Sequence, residues 1–102
     1  MTGALVGKVR SALACTSTPH GGQVTTLVNM HTFLFNHGMV VAGVPFTPPE
    51  LSTLAEISGG NPHRASSISG PRGDRAPSAN EPTIARIQGR HVAQIASKRA
   101  AQ

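Results

Sequence analysis

Tryptophan and tyrosine are absent from this chain of 102 residues, and phenylalanine occurs only as Phe33, Phe35 and Phe46. With so few large apolar anchors, one small domain is the most the chain can build, and its core material is that of half a domain. Cysteine is nearly absent too. The lone Cys15 excludes an intrachain disulfide and makes a reducing compartment the natural setting. No apolar run approaches the length of a membrane-spanning helix. The first eight residues lack the basic region and long apolar core of a signal peptide, so the cytoplasm is the expected location.

Acidic residues are also scarce: four Asp and Glu stand against nine Lys and Arg, for a net charge of +5. Such an excess raises the question of an anionic partner such as nucleic acid. Its distribution answers otherwise. Lys8 and Arg10 are the basic residues of the first half. Arg64, Arg72, Arg75, Arg86, Arg90, Lys98 and Arg99 are spread over a loop and a last helix. No aromatic side chain lies among them to stack a base, and a solvated surface is the expectation, not nucleic-acid contact.

What the chain has in quantity is turn-forming residues, with 11 glycines and 8 prolines. Four of the glycines and seven of the prolines lie within residues 45–82, which must therefore be largely loop. Ahead of that loop, residues 9–16 form a short run of small and apolar residues, consistent with a buried strand of a parallel sheet. The breaker cluster Ser17-Thr18-Pro19-His20-Gly21-Gly22 then imposes a turn. A helix is expected over 22–37, because Val24, Leu27, Val28, His31 and Phe35 recur at helical spacing, with Met30 and Leu34 widening the stripe. Gly38 stands where a left-handed residue would end it. His31 has no carboxylate or second histidine at ligand spacing, so it reads as a packed or interface histidine, and no metal site is expected.

Residues 39–44 (Met39-Val40-Val41-Ala42-Gly43-Val44) are the best strand in the chain. Strand–helix–strand order implies a right-handed crossover and two parallel strands. A long loop over 45–79 follows, with a short helical turn expected in Leu51-Ser52-Thr53-Leu54-Ala55-Glu56-Ile57. Ser78-Ala79-Asn80-Glu81 has the pattern of a capping box, but Pro82 favours Asn80 as cap and a helix over 81–99. Ile84, Ile87, His91, Val92 and Ile95 would form its buried stripe, while Arg86, Arg90, Lys98 and Arg99 face out or cap its negative end.

Read together, these residues resemble a known family. Gly3-Ala4-Leu5-x-Gly7-Lys8, Thr18-x-His20-Gly21-Gly22-Gln23, His31-Thr32-Phe33-Leu34 and His37-Gly38-Met39-Val40-Val41 occur in the order found in flavodoxin-like NAD(P)H:quinone oxidoreductases of the tryptophan-repressor-binding-protein type. Gly59-Gly60-x-Pro62, Ala65-Ser66, Pro77-Ser78-x-x-Glu81 and Ala85-Arg86-x-Gln88-Gly89 continue the similarity over nearly the whole chain, which matches the C-terminal half of that family. The fold the resemblance implies is α/β: the C-terminal part of a flavodoxin-like parallel sheet, with two strands, two main helices and one long loop. The loop that grips the flavin phosphate belongs to the other half, as does the strand that would pair with residues 9–16.

In the family, NAD(P)H passes a hydride to bound FMN, and the reduced flavin gives two electrons to a quinone. Carried over, Cys15, Thr16, Ser17, Thr18, Pro19, His20 and Gly21 form the third flavin-contacting loop, where glycine allows close approach and fixed amide dipoles meet the ring. Asn36 takes the place of a histidine that helps line the flavin site. It can hydrogen-bond but cannot titrate near neutral pH. Val24 stands where the family usually has Glu, Asn61-Pro62-His63-Arg64 where a Tyr-Gly pair is usual, and Pro82 is foreign to its helix. No catalytic side chain is assigned to this chain. The resemblance further implies a homo-oligomer or a complementing N-terminal half as partner. Two alternatives stand beside an enzyme part: a non-catalytic truncated remnant, and a basic nucleic-acid module that rests on charge alone.

Overall fold

The computed structural model describes residues 3–45, 47–52, 56, 58–60 and 65–100. Phe46, Thr53, Leu54, Ala55, Ile57 and the Asn61-Pro62-His63-Arg64 sequence lie outside the described residues. The strand expected over 9–16 is divided into β1 (Val9–Arg10) and β2 (Ala14–Thr16). After it come α1 (Gln23–Asn36), β3 (Val40–Val41), a 3-10 turn at Pro49–Ser52, β4 (Ser66–Ile68) and α2 (Asn80–Ala100). The chain is thus α/β, with two helices and two parallel strand pairs, compatible with a partial flavodoxin-like fold.

Hydrogen bonding explains the division. β1 pairs with β3 in the register Val9↔Val40, and β2 pairs with β4 in the register Cys15↔Ser67. The carbonyls of Lys8, Arg10 and Thr16 accept from the amides of Val40, Ala42 and Ser69, each at 2.8 Å. All three acceptors are even-numbered. Alternate carbonyls of an extended chain point to one edge, so β3 and β4 lie along the same edge of residues 8–16. The partner strand is interrupted by the insertion between Val41 and Ser66, and the ladder breaks opposite Ala12. Val9, Ser11, Leu13 and Cys15 turn their backbone groups to the other edge, where no strand pairs among the described residues.

The gap is closed by a side chain. Gln88 of α2 donates through Nε2 to the Ala12 carbonyl at 2.9 Å and to Ser11 Oγ at 2.6 Å, and its Oε1 accepts from the Ala65 amide. A side-chain amide carries the same donor and acceptor as a peptide, so Gln88 stands in for the missing rung. Beside it, Ile84 is fully buried and packs with Val44 and Ala65, flanked by Leu51 and Ile87.

The two helices cover opposite faces. Gln23 of α1 reaches the even-numbered Thr16, whereas Gln88 of α2 reaches the odd-numbered Ser11. Gly38 closes α1 as its position suggests. With φ of +71° it lets the Met39 amide reach the Leu34 carbonyl and its own amide reach Phe35, the paired bonds of a Schellman end.

Several expectations are corrected. β4 lies inside what was read as loop over 45–79, because Ser66 and Ser67 carry no strand signal and are ordered by long-range pairing with β2. A 3-10 turn lies at Pro49–Ser52, and of the helical turn expected over 51–57, Thr53, Leu54, Ala55 and Ile57 lie outside the described residues. The strand read over 39–44 pairs only at Val40–Val41. Of the α1 stripe, Leu27 alone is buried among the described residues, while Val24, Val28, Met30 and Phe35 are exposed, as is Phe33 outside the stripe. Arg99 is exposed as expected, and its Nε also donates to the Gly7 carbonyl at 2.9 Å, tying the end of α2 to the segment before β1. The radius of gyration, 14.7 Å, exceeds the roughly 13 Å of a compact domain of this length.

Candidate functional site

The loop between β2 and α1 is exposed from Ser17 through Gly22, yet its shape is fixed from within. Thr16 Oγ1 donates to the Thr18 carbonyl at 2.7 Å, and the Gly21 amide donates to the same carbonyl at 3.2 Å. Glycine suits position 21: a Cβ there would lie 3.0 Å from Thr16 Cβ and 3.2 Å from Thr18 Oγ1, crowding the hollow of the turn. Gly22 follows in the left-handed region at φ +90° and opens the helix with no side-chain cap. Gln23 then folds back. Its Nε2 donates to Thr16 Oγ1 at 2.8 Å and to the Ser67 carbonyl at 3.2 Å, and its Oε1 accepts from Ser66 Oγ at 3.0 Å.

Behind β4, a buried carboxylate gathers the ends of the long loop. Glu81 is 3% exposed. Its Oε2 accepts from the Gly59 and Ile68 amides at 3.0 and 3.1 Å, and its Oε1 from the Ser78 amide and from Arg75, both at 2.9 Å. Burial pushes the Glu81 pKa up. The Ser78 and Gly59 amides, with the hydrogen bond and charge of Arg75, outweigh it and hold the carboxyl below its ordinary value. The bond to Ser78 is one half of the capping box read from the sequence. Pro82 is accommodated because the Ser78 carbonyl, left without its amide, accepts from Glu81 N at 3.1 Å instead. Asn80 does not act as the cap expected of it; its Nδ2 bonds the Glu50 carbonyl and Ser58 Oγ across the loop.

Residues 15–21 are contiguous and share this end of the sheet. Cys15 is exposed on the α2 face, beside Pro82 and Ala85, whereas the Thr16 hydroxyl turns to the α1 face. Pro19 and His20 line a polar groove of about 400 Å³, whose far wall is Ser58, Gly59, Gly60 and Ile68. Asn36 is not brought to this loop. It ends α1, and a 14-residue helix places it roughly 20 Å from the turn that begins the helix.

The polar residues that shape the site, Gln23, Glu81 and Gln88, are all buried, and composition gave no reason to single them out. One signal was available for the last two. Glu81, Ile84 and Gln88 fall at i, i+3 and i+7, so two polar residues share the stripe of the most buried isoleucine. Among the described residues no group of His, Cys, Asp and Glu could hold a metal ion, and no helix is long and apolar enough to cross a membrane.

No family model matches the chain. Curated proteins do. A protein named NAD(P)H dehydrogenase (quinone) from Acidithiobacillus ferrooxidans is 59% identical over 96 residues, covering 94% of this chain and 48% of the relative. Proteins of the same name from Chromohalobacter salexigens and Trichlorobacter lovleyi are 52% and 51% identical over 96 and 98 residues, again 48% of each relative. This chain is a relative of the NAD(P)H dehydrogenases (quinone). It spans about half the length of the curated relatives it matches. The resemblance drawn from the Thr18-x-His20-Gly21-Gly22-Gln23 and His37-Gly38-Met39 motifs points to the quinone oxidoreductases that these names describe, and it too covers half of them.

Proposed function

We propose that this chain is the part of an FMN-dependent NAD(P)H:quinone oxidoreductase that carries one ring-contacting loop, residues 15–21. The observation that carries this reading is the identity of 51–59% to dehydrogenases of that name over nearly all of the chain. The loop fits one edge of a flat ring: exposed side chains from Ser17 to His20, a glycine hollow that a Cβ would crowd, and a Thr16 hydroxyl held by Gln23. Bound FMN would supply the chemistry, accepting a hydride from NAD(P)H and giving two electrons to a quinone. This chain's residues would hold the ring edge and present fixed backbone dipoles to it, with no side chain among 15–21 moving a proton. The phosphate grip would come from the half that this chain does not cover, docked along the open edge of residues 9–16. Asn36 would serve a flavin held by another copy, which makes the working unit an oligomer. The cytoplasm is the setting we assign.

A second reading, a non-catalytic remnant, is favoured by the open sheet edge and the exposed α1 face, both liabilities in an isolated chain. An FMN titration decides between them, run on the chain alone and on the chain co-expressed with the uncovered half of the Acidithiobacillus ferrooxidans relative. Saturable binding in the complemented protein is the expected result. Binding by the chain alone would place the whole site between copies of this chain, and no binding in either case leaves the remnant.

A further inference from the structure

A single directional path of hydrogen bonds runs from the long insertion into the candidate loop. The Gly60 amide donates to Ser66 Oγ at 2.8 Å, and Ser66 Oγ donates to Gln23 Oε1 at 3.0 Å. Gln23 Nε2 donates to Thr16 Oγ1 at 2.8 Å, and Thr16 Oγ1 donates to the Thr18 carbonyl at 2.7 Å. Each hydroxyl has one proton and passes it in the same direction. The residue between them must therefore accept on one side and donate on the other, which a carboxamide does and a carboxylate or an alkyl group does not. Bonds aligned head to tail also reinforce one another. The start of the path is equally constrained. A Cβ at Gly59 would fall 2.1 Å from the Ser66 carbonyl oxygen, and one at Gly60 would fall 2.6 Å from Ile84 Cδ1.

We propose that Gln23 is the positioning residue of the loop, fixing residues 16–21 in their ligand-ready shape by locking them to the segment at Gly59 and Gly60. The identity of the ligand rests on the flavin reading above; the positioning role does not. The Gly60 amide is thereby a structural part of the site, since it sets the far end of the relay that shapes the loop.

The test uses the chain co-expressed with the uncovered half of the Acidithiobacillus ferrooxidans relative, in the wild type and as Gln23→Glu, Thr16→Val, Thr16→Ser and Leu27→Ala. Gln23→Glu keeps size but removes the donor, and Thr16→Val removes the relaying hydroxyl. Both are expected to speed hydrogen exchange at the Gly21 amide about tenfold or more and to weaken FMN binding about tenfold, a loss on the scale of one hydrogen bond. Thr16→Ser keeps the hydroxyl and is expected to keep both readouts. Leu27→Ala opens a cavity in α1 away from the loop; it is expected to lower Tm more than Gln23→Glu while leaving FMN affinity unchanged. The proposal is overturned if Gln23→Glu leaves Gly21 as protected as in the wild type, or if affinity simply follows Tm across the set. If the wild-type complex takes up no FMN, the flavin reading fails, and the Gly21 exchange rates still decide the role of Gln23.

Discussion

The two helices of this chain are built on opposite principles. α2 buries polar groups: Glu81 and Gln88 are each 3% exposed, on the stripe that also buries Ile84. α1 exposes apolar ones, with Phe33 and Phe35 each 62% exposed and Val24, Val28 and Met30 beside them. The contrast separates what is finished from what is open. The buried polar groups of α2 have partners within the chain and close the break in the sheet, so that face is complete. The apolar face of α1 and the odd-numbered edge of residues 9–16 are uncovered among the described residues.

The largest effect expected from breaking this contrast is at Glu81. Glu81→Ala leaves the Gly59, Ile68 and Ser78 amides and the Arg75 guanidinium without their shared acceptor, and should cost about 3–5 kcal/mol. Urea denaturation of the complemented protein measures it; a cost under about 1 kcal/mol would show that the carboxylate is not what closes the loop. Next comes Leu27→Ala, expected to cost about 2–5 kcal/mol because Leu27 is the α1 side chain that is fully covered.

A pH effect sharpens the same point. The folded-state pKa of Glu81 is held below its ordinary 4.5, so its contribution to stability is complete above that value and is lost as pH falls through the lower folded value. Stability should therefore decline with acid from about pH 4.5 downward, and Glu81→Gln should flatten that decline; an equal acid response in both proteins would assign it elsewhere. The smallest effect belongs to the open face. Phe33→Ser or Phe35→Ser should reduce the self-association of the isolated chain, read by light scattering. The isolated chain itself is expected to be molten or aggregated, and a sharp cooperative thermal transition of a monomer would contradict that.

Much of the local structure was legible in the sequence because its causes are local. Gly38 ends α1 through a left-handed turn that needs no distant partner, and the helical spacing of Leu27 or Ile84 can be read directly. The loop of residues 15–21 was legible as a turn, and its glycine hollow follows from Gly21. The stripe on α1 was legible as a period but not as a direction. Periodicity says that Val24, Val28 and Phe35 share a side; it does not say whether anything covers that side.

From its sequence alone this chain determined its helices, its central turn and its kinship, since helix periodicity, glycine conformation and ordered motifs are properties of neighbours along the chain. Tertiary structure decided the rest. It split the strand at 9–16 in two, made a strand of Ser66–Ile68, put Gln88 in place of a peptide, and gathered four donors onto Glu81. It also set Asn36 at the far end of α1 from the loop it had been grouped with. The physical reason is the same in each case. A hydrogen bond between residues 12 and 88, or 59 and 81, depends on how distant segments pack, and no pattern of neighbours along the chain records it.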